Sequence, residues 1–168
     1  MENKKTITIT QQVKELVYDI QNKAYLTGVS READGSKNYD AASNMQASDD
    51  AESIYQIRRS LTNAFAALKC QLGEFLVDGN TESNDLINNE IDNNSTLVLE
   101  FNLPNNYNLA SIDSLGNSIH AYLVDAALSE WFAITNKEDE ETYARHLLVS
   151  LENVKRALYK RSRPTRKI

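Results

Sequence analysis

Between Ile54 and Phe75, apolar residues recur at Ile54, Ile57, Leu61, Ala64, Leu68, Leu72 and Phe75. The steps between them alternate between three and four, so one apolar seam persists for about three heptads. That spacing predicts a long helix from about Asp50 to Leu76, roughly 40 Å at 1.5 Å per residue. A single helix cannot bury its own seam, so other helices must cover it. Asp49, with Glu52 three residues later, reads as a capping-box start.

The rest of the chain supplies the partners. Val13, Leu16, Val17, Ile20 and Ala24 have amphipathic spacing. They predict a helix from about Gln11 to Leu26, ended by Gly28 in the left-handed position that favours glycine. A third helix, from about Leu109 to Thr135, places Ile112, Leu115, Ile119, Leu123, Ala126, Ala127 and Phe132 on one face, with Trp131 beside it. Asn136 interrupts the pattern and can cap a fourth helix reaching about Tyr159, with Tyr143, Leu147, Leu151, Val154 and Leu158 on its seam. The acidic run Glu138, Asp139, Glu140 and Glu141 complements that helix's N-terminal end and reads as a solvated face. So short a break between two long helices implies an antiparallel helical hairpin.

Two stretches alternate. Thr6–Thr10 alternates Thr and Ile and reads as a short strand or an extended lead-in, and Thr96–Leu103 sets Leu97, Leu99, Phe101 and Leu103 against Thr96, Val98, Glu100 and Asn102. The second is a half-buried strand that Pro104 ends. Its hydrogen bonds need a partner: a hairpin arm through Leu86, Ile87 and Ile91 across Asp92–Ser95, the Thr6–Thr10 segment, or a neighbouring subunit. Ten of the 18 asparagines lie between Asp78 and Asn108, which makes the surroundings loop-rich. Gly28–Ser48 is polar and aperiodic, and so long a stretch inside a compact domain reads as an interaction loop.

The expected fold is mainly α: a four-helix bundle of long helices, a β-strand or hairpin excursion at 77–104, and an extended basic C-terminal arm. One domain covers 1–160 and the arm covers 161–168. At 168 residues and 41% hydrophobic content, the chain can bury a core without a disulfide or metal. It has no run of 18 apolar residues and no apolar leader, so no membrane span or secretory signal is expected. A lone cysteine fits a reducing compartment.

The charge is uneven. The net charge is −6, yet Lys155, Arg156, Lys160, Arg161, Arg163, Arg166 and Lys167 crowd the last 14 residues without one acid. The remaining 154 residues carry 11 basic and 24 acidic groups, a net of −13. The arm reads as a solvated, frayed tail, or as a segment suited to an acidic protein surface, including that of a neighbouring copy, or to nucleic-acid phosphates. The acidic body weighs against DNA binding.

No constellation for catalysis is legible. His120 and His146 sit on different helices, without Glu-x-x-His or His-x3-His spacing, so no metal centre is expected. Cys70 reads as a small, partly buried hydrophobe beside Leu68 and Leu72. Gly28, Gly35, Gly73, Gly79 and Gly116 are isolated, and no phosphate loop is present. A helical ligand binder would need a pocket lined by Trp131, Tyr122 and His120. The expectation is a protein that is not an enzyme and takes no cofactor.

Two segments carry a resemblance. One is TITITQQVKELVYDIQNKAYLTG followed by VSRE. The other is ALSEWFAITNKEDEETYARHLLVSLENVKRALYKRSRPTRKI, with its Trp-Phe helix end, polar break, Tyr-bearing helix and Arg-Pro-Thr-Arg finish. Together they cover about half of the chain. They resemble small helical structural proteins from the virion-assembly regions of tailed phages and prophages of Bacteroidetes, including the crAss-like group. The resemblance implies a neck or head–tail connector ring that joins portal to tail. Its partners would be copies of itself, the portal, other neck or tail proteins, and genomic DNA sliding through the lumen without sequence recognition. It would be assembled in the host cytoplasm and reside in the virion. The runner-up reading is a nucleic-acid-binding accessory protein or another tail component. Tyr39 in the loop, Leu97, Leu99 and Phe101 in the strand, and Arg161, Arg163, Arg166 and Lys167 in the arm are the expected subunit contacts.

Overall fold

The computed structural model describes residues 4–33, 43, 46–79 and 91–164. The described chain is mainly helical, with four α-helices and a two-stranded antiparallel sheet. The elements run β1 (Lys4–Gln12), α1 (Val13–Ala33), α2 (Ala51–Gln71), β2 (Thr96–Pro104), α3 (Ile112–Thr135) and α4 (Lys137–Leu158). Short 3-10 turns at Gly73–Phe75 and Leu109–Ser111 join them.

The strand partner left open by the sequence is β1. Lys4 stands opposite Pro104 and Gln12 opposite Thr96, in continuous antiparallel register. The alternation of both strands fits this pairing. Ile7 and Ile9 on β1, with Leu97, Leu99, Phe101 and Leu103 on β2, point inward and are buried. Thr6, Thr8, Thr10, Val98 and Glu100 face outward. The far edge of β2 is met at one point among the described residues. Leu76 forms a bridge with Phe101, and the Val77 N–H donates to the Glu100 carbonyl at 2.9 Å. Asp92–Ser95 does form a turn, with the Ser95 N–H donating to the Asp92 carbonyl at 2.9 Å. It leads into β2, and β2 takes β1 as its partner instead of the Leu86–Ile91 arm, of which 86–90 lie outside the described residues.

Helix α3 is the hub. It packs on α1, α2, α4 and β1, and most extensively on α4. This position buries residues all around it, Tyr122, Val124 and Leu128 as well as the expected seam of Leu115, Ile119, Leu123, Ala127 and Phe132. The turn into α4 is as tight as the sequence predicts. Asn136 Oδ1 accepts from the Glu138 N–H at 3.1 Å, and the Asn136 N–H donates to the Phe132 carbonyl at 2.7 Å. One residue thus ends one helix and starts the next. Phe132 and Tyr143 stack across the closed end, with ring centroids 5.3 Å apart. Midway along the pair, the buried Ser150 hydroxyl donates to the buried Asp125 carboxylate at 2.6 Å.

Several local expectations need correction. α1 starts after Gln12 and runs through Gly28 to Ala33. Gly28 lies one turn beyond Ala24 on the buried stripe, so packing overrides its tendency to end a helix. The last turn is also anchored: Arg31 grips Asp139 on α4, with Nη2 to Oδ1 at 2.8 Å. Asp139 is therefore buried and bonded, not a member of a solvated acidic face. The first residues assigned to the polar loop belong to this helix, while 34–42 and 44–45 lie outside the described residues.

α2 is capped by Asp50 and not by Asp49. The Asp50 carboxylate accepts from the Ser53 N–H at 2.6 Å and from the Ser48 hydroxyl. These hydrogen bonds, that of Ser48 foremost, hold its carboxyl below the usual carboxylate range. Asp49 accepts instead from Gln21 of α1 at 3.1 Å. The α-helix ends at Gln71, but the seam continues through the buried Leu72 to Phe75, which meets Tyr159 edge-on. Cys70 is exposed rather than partly buried.

Candidate assembly surface

The ribbon is open along the outer edge of β1 among the described residues. β2 is flanked by β1 and by Leu76–Val77, but no described residue pairs with the other edge of β1. From Thr6 to Gln12 that strand carries no charge; its lysines are confined to Lys4 and Lys5 at the start. Natural sheets usually blunt such an edge with charge, proline or a cover, because its backbone N–H and C=O groups can template another strand.

Beside this edge runs an open groove of about 550 Å³. One wall is the strand itself, Thr8 to Gln11; the other is the first two turns and more of α3, with Ile112, Asp113, Gly116, Asn117 and His120. Asp113, Gly116, Asn117 and His120 share one helix face because they lie three or four residues apart. Gly116 keeps that wall low, and a Cβ placed there would meet nothing within 4 Å.

His120 has surroundings that the sequence did not show. It has no acidic neighbour one turn away on its own helix, but the tertiary structure supplies partners from 100 positions off. Its Nε2 lies 2.7 Å from Asp19 Oδ2 on α1, and its Nδ1 lies 3.0 Å from Gln11 Oε1 on β1. Gln11 Nε2 in turn donates to the Gly116 carbonyl at 2.9 Å. Nothing local could have shown this cluster, since three elements meet there. Tyr122 is buried in the core and Trp131 is half-buried, and neither lines the groove with His120. The three do not form the ligand pocket that such a reading would need. His146 packs edge-on against Tyr143. Among the described residues no group of three metal-ligating side chains occurs, and no helix is long and apolar enough to cross a membrane.

The arm begins as part of the body. The Asn108 N–H donates to the Lys160 carbonyl at 3.2 Å, and the Ser162 N–H donates to the Asn106 carbonyl at 2.7 Å. Between them Arg161 forms a bridge with Tyr107. The Arg161 guanidinium donates to the Leu158 carbonyl at 2.8 Å and to the Lys160 carbonyl at 3.2 Å, and lies 6.0 Å from the Tyr159 ring centroid. A cation here satisfies carbonyls that the end of α4 leaves open. Tyr107, beneath the bridge, is fully buried, and its hydroxyl has no hydrogen-bond partner. Burial pushes its phenol up from the ordinary value of 10.0, with Arg161 opposing.

The expected contact residues therefore divide. Leu97, Leu99 and Phe101 are spent on the chain's own core, at 6%, 3% and 0% exposure. Within the chain, the helices cover the inward face that β1 and β2 share. Arg161 is engaged with its own helix end. Arg163 is exposed beyond it. Tyr39, Arg166 and Lys167 lie outside the described residues. Among the described residues the backbone edge of β1 with its groove is open, a feature the residue-type pattern did not single out.

No protein-family model matches the chain, and neither curated proteins nor solved structures provide a match.

Proposed function

We propose that this chain is a structural subunit of a tailed-phage virion, forming a ring in the neck or head–tail connector through contacts between copies. The observation that carries this reading is the outer edge of β1 beside its groove, with which no described residue pairs and which carries no charge from Thr6 to Gln12. Strand addition at such an edge gains main-chain hydrogen bonds without any specialised side chain. Copies meeting head to tail close into a ring when the rotation between them closes. The virion setting rests on the resemblance of the opening and closing segments to phage and prophage structural proteins. The three helices packed on α3 fit a bundle plan with a β excursion and a terminal arm. The acidic body fits a lumen along which DNA slides without adhering. In this reading the arm beyond Pro164, with Arg166 and Lys167, lies on the acidic body of the next copy. The chain acts without catalysis or cofactor.

Native mass spectrometry of the purified protein, at low and moderate salt, alone and with portal, tests the reading. The expected result is one ring-sized oligomer, alone or with portal. Thr8→Lys, which places a charge on the edge of β1, abolishes it while the helical circular dichroism stays unchanged. A monomer at every salt concentration that never joins virion components overturns the reading. Truncation after Pro164 separates the arm's roles, because residues 160–162 belong to the body. Loss of DNA binding with assembly intact would transfer the function to nucleic acid.

A further inference from the structure

The cluster at the end of the groove has a fixed hydrogen-bond sense. Gln11 Nε2 donates to the Gly116 carbonyl, so the amide oxygen is the atom that faces His120 Nδ1. At the other side of the ring, Asp19 offers a carboxylate oxygen to Nε2. Both ring nitrogens thus face acceptors. A neutral imidazole carries one N–H and satisfies only one of them; the imidazolium satisfies both. Turning the Gln11 amide does not rescue the neutral ring, because it would set Oε1 against the Gly116 carbonyl oxygen.

We propose that His120 is a protonation-dependent clasp that ties the end of β1 to α1 and α3. As the imidazolium it holds Gln11 and Asp19 together. As the neutral ring it keeps Asp19 and lets go of Gln11, which then holds α3 only through its bond to the Gly116 carbonyl, so the end of β1 loosens and that end of the groove opens. The ring side chain is 28% exposed and Asp19 is 43% exposed, so solvent protons reach the pair. The charged groups around it come from two elements. α1 brings Asp19, with Glu15 and Lys23 one turn to either side on the same face; α3 brings Asp113, which lines the same groove. β1 contributes the uncharged Thr8, Thr10 and Gln11. Among the described residues, no charged group of α2 or α4 bonds to the ring. The clasp is a property of the folded chain and stands whether or not β1 binds a neighbour.

Nuclear magnetic resonance on the full chain tests it, following the His120 ring nitrogens and the Gln11 side-chain amide from about pH 5 to about pH 9. The expected result is a ring protonated on both nitrogens at the acid end. The Gln11 amide resonances then shift with the same midpoint as the ring. Hydrogen exchange of the Val13 N–H, which donates to the Ser95 carbonyl, speeds up about fivefold across that midpoint, beyond its intrinsic pH dependence. That factor corresponds to losing one ordinary hydrogen bond. His120→Gln removes the response at Gln11, and His146→Gln leaves it intact. A His120 titration to which Gln11 does not respond overturns the proposal, as does a ring with one bare nitrogen throughout. Both readouts come from the wild-type protein, so failure of a variant to fold leaves the test intact.

Discussion

The α3–α4 hairpin and the β1–β2 ribbon are built from equally regular sequence but held together in opposite ways. In the hairpin, one asparagine joins two helices, and its polar contact, Ser150 to Asp125, spans 25 positions. In the ribbon, paired residues lie 84 to 100 positions apart. Forming the first costs little loop entropy; forming the second requires most of the chain to be in place. The hairpin also closes on itself, whereas no described residue pairs with the outer edge of β1. Local contacts hold the hairpin, and distant pairing holds the ribbon.

The sharpest way to break this comparison is to cut one large side chain from each half. Phe101→Ala and Phe132→Ala each remove a fully buried ring and each cost about 3–5 kcal/mol in denaturant unfolding. Their kinetics should differ. If the hairpin forms first, Phe132→Ala slows folding, while Phe101→Ala mainly speeds unfolding. Equal partitioning in stopped-flow chevrons would remove the distinction.

Next in size is Ser150→Ala, which leaves the buried Asp125 carboxylate without its hydroxyl donor. It should cost about 1–3 kcal/mol. A double-mutant cycle with Asp125→Ala should show that the two losses do not add. Asn136→Ala removes the cap and the bond from its side-chain nitrogen to Asp139 at 2.6 Å, costing about 1 kcal/mol. A loss indistinguishable from zero by thermal melting would mean the junction is set by packing alone.

Tyr107, in the connection between the two halves, adds a pH dependence. Its phenol is raised by burial, so the folded state holds that proton more tightly than the unfolded chain. The stability this contributes is complete below the ordinary value of 10.0 and is lost as pH rises above it. Tyr122, on the hub helix, has the same sign and cause. Tyr107→Phe keeps the ring and deletes a buried hydroxyl without a partner. Stability at neutral pH should stay level or rise, and the alkaline loss should shrink. The smallest effect is expected at the open edge, where Thr8→Lys should change monomer stability by less than about 0.5 kcal/mol. A larger loss would show that the edge is already covered within the chain.

Much of this fold is legible where the signal is local. The seam of α2, the span of α3, the Asn136 cap and the alternation of β2 all follow from residues one turn or one pleat apart. Gly28 misleads for the complementary reason. Its own preference is to stop a helix, and contacts from elsewhere carry the helix onward to Arg31 and Asp139. The contact surface is harder still. Leu97, Leu99 and Phe101 have the pattern of a strand seeking a partner, but a pattern does not say whether that partner lies in the same chain.

By itself the sequence determined the helices, their order, the tight turn at Asn136 and the two strands, because hydrophobic periodicity and capping act within a few residues. Only the tertiary structure decided that β1 pairs with β2, that Arg161 closes the end of α4, and that Asp19, Gln11 and His120 meet. Those choices depend on which distant surfaces bury each other best, and no short window of sequence contains both sides of such a contact.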